Sequence, residues 1–124
     1  MAELARLHGT GGLARIEHLA EVEEVPANFL AQILLKLRNR GLITSRRGNQ
    51  GGYALARPPE EISVLDVLIA VEGHALQFGG NPAGRSGRRV RQAWSTIAAE
   101  FEAKARAQTF DQIASREPDS MYYI

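Results

Sequence analysis

The chain has 124 residues, 44% of them hydrophobic, a formal net charge of +1 and no cysteine. That length suits one small domain with a projecting element and leaves no room for a second full core. The missing thiols exclude disulfides, thiolate zinc or iron-sulfur sites and cysteine nucleophiles, and no apolar run approaches the ~20 residues of a membrane helix, so a cytoplasmic location is expected.

Residues 2–8 read as a short first helix, with Leu4 and Leu7 three apart and a glycine-rich break after it. Residues 14–22 form the second, with Ile16, Leu19, Ala20 and Val22 on its apolar side and Glu17, Glu21, Glu23 and Glu24 outside. Pro26 then opens a third helix, its fixed φ suited to the first turn, and Phe29, Leu30, Ile33, Leu34 and Leu37 give the spacing of a half-buried helix that ends at Gly41. Lys36, Arg38 and Arg40 crowd the last turn, where two roles fit: complementing the helix dipole or meeting phosphates. Two helices around so short a turn match a helix-turn-helix.

Residues 42–46 are β-like, 47–52 form a glycine-rich turn and 53–56 resume an extended pattern. The tip of this hairpin combines Arg46, Arg47, Asn49 and Gln50 with glycines, which suits a loop whose backbone approaches a partner closely. An ordinary solvent-exposed turn is the alternative, and the helix-turn-helix directly before it favours a wing. Charge points the same way. From 25 to 59 there is no acid and there are six bases, whereas the first 24 residues hold five acids; a basic stretch of this kind is either the footprint of a phosphate-binding surface or a solvated face.

Ser63 caps a helix over 64–72, with Leu65, Leu68 and Ile69 inward and Gly73 at its end. Residues 77–87 read as a loop. The longest helical pattern, 88–107, carries Val90, Trp94, Ile97, Ala98, Phe101 and Ala105 along one side. So small a domain has little surface against which to bury that stripe, and the matching helix of a second subunit would cover it in a symmetric homodimer. The remainder holds one short amphipathic piece (Phe110, Ile113, Ala114) and an apolar end, Met121 to Ile124. Arg85, Arg88, Arg89 and Arg91 form a second basic cluster, either an anion site for a small effector or a solvated helix start.

The expected fold is therefore mainly α with a small β-hairpin wing: a winged helix-turn-helix domain over 1–75, a loop over 76–87, and a dimerisation helix and tail over 88–124. No catalytic triad or paired-carboxylate pocket is legible, and residues 48–52 lack the lysine and helix that a nucleotide loop needs, so no enzyme, metal or cofactor is expected. A winged helix that binds proteins instead of DNA is the rival reading.

Three stretches carry a resemblance. They are Phe29-Leu30-Ala31-Gln32-Ile33-Leu34 running on to Leu37-Arg38-Asn39-Arg40-Gly41-Leu42-Ile43; Arg47-Gly48-Asn49-Gln50-Gly51-Gly52-Tyr53-Ala54-Leu55-Ala56-Arg57-Pro58; and Ile62-Ser63-Val64-Leu65-Asp66-Val67. From about Leu4 to Ala114 the chain resembles the Rrf2 family of bacterial winged helix-turn-helix transcription regulators. The resemblance implies a homodimeric regulator, a repressor at a palindromic operator, with the third helix in the major groove of double-stranded DNA and the wing in the minor groove. It places Asn28 and Gln32 at or near base edges and Arg47 in the minor groove, with Arg46, Asn49 and Gln50 around it, while the phosphate role of Lys36 and Arg38 is read from their charge and their place in the helix. Tyr53 packs the wing onto the core or touches phosphate through its hydroxyl. Three departures stand out. Ala31 occupies a position where many members have glutamate, the loop before the long helix lacks the three cysteines of cluster-binding members, and the chain begins partway through the family's longer first helix. The signal is left to a small anionic effector or a partner protein.

Overall fold

The structure is a computed structural model that describes residues 1–76 and 84–116. Helix α1 (Ala2–Leu7) turns Leu4 and Ala5 into the core. Its Glu3 carboxylate accepts two 2.8 Å bonds from the Arg6 guanidinium and lies 3.0 Å from His18 Nε2, which ties α1 to α2 (Ile16–Glu23). Arg6 draws the Glu3 carboxyl down to about 2, with burial opposing and the His18 contact adding to the shift.

Helix α2 starts two residues later than its apolar spacing predicts. Ala14 is not helical: its N–H donates to the Tyr53 carbonyl (2.9 Å) and its carbonyl accepts from the Tyr53 N–H (2.7 Å), an isolated antiparallel bridge. The helix ends at Glu24 in the left-handed region (φ 55°), and the Val25 N–H donates to the Ala20 carbonyl at 3.0 Å, closing the tight turn into α3 (Ala27–Asn39). Pro26 stands just before that helix, at φ −62° and ψ 138°, and not inside its first turn. Leu34 and Leu37 are buried, and Leu30 and Ile33 pack against the core. Phe29 is exposed, contrary to the sequence reading, because it lies about a quarter turn from the centre of the Leu30–Leu37 arc.

After Gly41 (φ 74°), strand β1 (Ile43–Arg46) pairs antiparallel with β2 (Gly52–Leu55), Ile43 opposite Leu55 and Arg46 opposite Gly52. A single 3-10 turn over Pro59–Glu61, not anticipated, leads to α4 (Val64–Glu72). Its start is a capping box: Ser63 Oγ accepts from the Asp66 N–H (3.1 Å) and Asp66 Oδ2 accepts from the Ser63 N–H (3.0 Å). Gly73 at φ 86° ends it.

Helix α5 (Arg85–Ala107) takes in Arg85 and Gly87, which the sequence pattern assigns to the loop. One glycine inside a helix costs only about 1 kcal/mol, little against the length of α5. Residues 77–83 of that loop and the apolar end, 121–124, lie outside the described residues. At its far end α5 returns to the core. Ala105 is 7% exposed, the Val64 N–H donates to the Gln108 carbonyl (2.9 Å) and the Phe110 N–H to the Ile62 carbonyl (3.0 Å). The last helix, α6 (Phe110–Ser115), lies on α1 with Phe110 inside the core. Packing therefore crosses the boundary expected at residue 88, since the end of the chain completes the core of the winged domain. Leu4, Leu19, Leu34, Leu37, Ile43, Leu55 and Ile62 share that core, and burying each stabilises by roughly 1.5 to 3 kcal/mol.

Candidate nucleic-acid interface

The wing is aimed by its glycines. Gly52 has φ 149°, and a Cβ there would stand 2.7 Å from the Ala14 carbonyl oxygen and 3.1 Å from Leu13 Cβ. A Cβ on Gly51 would collide with the Arg46 carbonyl oxygen. Only residues without a side chain let the hairpin press this closely on its own first strand and on the segment before α2. The Gly-Gly-Tyr signature is thus a close-approach device, and Tyr53, half-buried, packs against the core beside it.

Arg46 ends β1 and Arg47 begins the turn, both exposed. With Arg38 and Tyr53 they line one concave cleft between the wing and the start of α2. Arg38 Nη1 donates to Ser45 Oγ at 3.3 Å, which turns its guanidinium toward the hairpin. Sequence reasoning missed Arg15, which lines the same cleft and donates from Nη1 to the Asn49 carbonyl at 2.8 Å, with Nε 3.6 Å from Glu17 Oε2. Its local signal, a base directly ahead of an acid-rich helix, gives no hint of a wing more than thirty residues later.

Lys36 parts company with Arg38. Its Nζ donates to the Val71 carbonyl (3.3 Å), so it ties α3 to the last turn of α4 on the flank away from the hairpin. Asn28 and Gln32 are exposed on the outer face of α3, outside the cleft, and Asn49 and Gln50 are exposed in the wing turn. Arg85, Arg88 and Arg89 are exposed on the opening turns of α5, as are Val90, Ile97 and Phe101 farther along, whereas Trp94 is half-buried and Ala105 faces the chain's own domain. Among the described residues no helix is long and apolar enough to cross a membrane.

Comparison with known proteins agrees with the fold. Residues 1–116 match the family model described as Rrf2, an iron-dependent transcriptional regulator. An HTH-type transcriptional regulator of Mycobacterium tuberculosis is 31% identical over 119 residues, 92% of this chain and 73% of that protein. The solved structure of CymR, the global cysteine regulator of B. subtilis, superposes with a TM-score of 0.80 at 28% identity, covering 92% of this chain and 86% of the other. T. potens IscR gives 0.73 at 30% identity, covering 98% and 87%. The iron of the family description finds no donor set in these residues: the chain has no cysteine, and among the described residues no three His, Asp or Glu side chains gather to hold a metal ion.

Proposed function

The chain belongs to the Rrf2 family of helix-turn-helix transcriptional regulators, which are not enzymes, and on that premise we propose that it is a repressor that binds a palindromic operator as a homodimer. One observation carries the reading: the exposed outer face of α3, with Asn28 and Gln32, stands beside a cleft of exposed arginines (Arg38, Arg46, Arg47), and none of these five side chains is buried in the core. An amide in the major groove pairs bidentately with adenine, and an arginine in a narrow minor groove meets its enhanced negative potential. Asn28 and Gln32 read bases, Arg47 enters the minor groove with Arg46, Asn49 and Gln50 around it, and Arg38 meets phosphate. Lys36, already bonded to α4, positions α3.

Dimerisation follows from α5. Ile97 is 54% exposed and shares one helical face with Val90 and Phe101. The same face of a second copy covers it in an isologous seam, and the two α3 helices then read half-sites related by the protein two-fold. A dimer seated across its operator bars other proteins from that DNA, which is repression. The test is selection from a random duplex pool, followed by footprinting and sedimentation. The expected result is an inverted repeat protected by a dimer; a protein that selects no duplex, or that binds as a monomer to a site without symmetry, overturns the proposal.

A further inference from the structure

Asn28, Ala31, Gln32 and Leu35 follow the i, i+3, i+4, i+7 spacing of a single helical face, and all four are exposed on α3. Two are amides and two are purely aliphatic. Leu35 is 48% exposed although its neighbour Leu34 is buried. It lies on the side of the helix away from Leu37 and so has no place in the core. Beside it Ala31 and Tyr53 complete a shallow notch, bounded by Arg38, that opens where the outer face of α3 meets the wing.

Base edges in the major groove present hydrogen-bond donors and acceptors, and the one apolar group that protrudes among them is the C5-methyl of thymine. A leucine pressed onto that floor either covers a polar edge, which then lacks its partner, or meets this methyl. Leucine and alanine supply no donor or acceptor, so this part of the face reads by shape and apolar contact. The geometry points to Ala31 and Leu35 as a seat for a thymine methyl, which makes Leu35 a specificity-determining residue. The inference rests on the proposal that α3 enters the major groove. A rise of about 1.5 Å per residue puts Leu35 ~4.5 Å beyond Gln32 along the helix axis. The thymine is therefore within one or two base pairs of the pair that Gln32 reads.

The experiment uses the full chain and the duplex it selects from a random pool. Each thymine of the half-site is replaced in turn by uracil, which removes the methyl group and nothing else. Burying one methyl group corresponds to ~4-fold in affinity. One uracil position per half-site should therefore weaken the wild type by about that factor. Leu35→Ala, a change at an exposed position, should still fold and bind, yet bind thymine and uracil duplexes equally at that position while keeping its other preferences. A wild type indifferent to every uracil, or a Leu35→Ala variant that keeps the thymine preference, overturns the inference and leaves the DNA-binding reading intact. A protein that selects no duplex removes both.

Discussion

Gly52→Ala tests whether the wing is aimed by backbone contact. At φ 149° an alanine is strained wherever the rest of the chain lies, at a cost of about 1 to 3 kcal/mol. Its Cβ would also sit 2.7 Å from the Ala14 carbonyl oxygen, and this neighbour is backbone that cannot swing aside. Relief requires parting the Ala14–Tyr53 bridge, whose two bonds of 2.9 and 2.7 Å contribute about 0.5 to 1.5 kcal/mol each. The expected destabilisation is about 2 to 6 kcal/mol, a large share of the ~5 to 15 kcal/mol typical of a small domain. Gly48→Ala is the control: φ is 108° but nothing stands within 4 Å of the added Cβ, so backbone strain acts alone, at the same ~1 to 3 kcal/mol. Urea unfolding of both variants, with amide exchange at Ala14 and Tyr53, reads the difference. The reasoning is refuted if Gly52→Ala is no more costly than Gly48→Ala, or if those two amides keep their full protection.

Arg47→Ala should weaken operator binding by about 1 to 3 kcal/mol and relax preference in the flanking A/T-rich DNA; equal affinity across flanks contradicts the minor-groove role. Arg15→Met should lower affinity several-fold through a looser wing while leaving the salt dependence of binding unchanged, whereas a fall in slope of about 0.9 would mean that Arg15 touches phosphate directly. Ile97→Asp puts a charge at a position exposed in the protomer, so the melting temperature of the separated protomer should hold while sedimentation shows the dimer split. A dimer that survives the change would exclude this face from the interface. Glu3 gives a pH dependence. Its carboxyl is held down to about 2, below its ordinary value of 4.5, so the stabilisation is complete above that ordinary value and drains away as pH falls toward 2. Glu3→Gln should be less stable at neutral pH and show a flatter loss of stability across that acid window; parallel acid-unfolding curves would refute the pairing.

What the sequence made legible was what local chemistry dictates. Helix α4 announces itself through Ser63 and Gly73, and both perform their capping roles. The wing was visible because glycines cluster where a tight reversal needs them, although the close approach to Ala14 that requires Gly52 was not. Ala14 itself misleads: alanine is the best helix former, and only pairing with Tyr53, far along the chain, draws it into an extended conformation. Phe29 fits the apolar spacing of α3, but spacing alone does not say which edge of a broad stripe reaches solvent. The arginine cleft was half legible. Arg38, Arg46 and Arg47 lie in one basic run, while Arg15 joins them only through the fold. The docking of Phe110 is likewise a contact between distant segments that no window of sequence contains.

That docking bears on how the protein comes to exist. Helix α6 packs on α1, so Leu4 and Phe110, from opposite ends of the described chain, must meet before the core is closed. Contacts between distant segments are entropically costly to form and slow the search for the native state. During synthesis α1 to α4 emerge first, and the side of α1 that α6 covers waits open until α6 has been made. The nascent regulator is thus most exposed to aggregation and proteolysis in the interval between the appearance of its wing and the arrival of Phe110, and cutting the chain just before that residue would prolong the interval indefinitely.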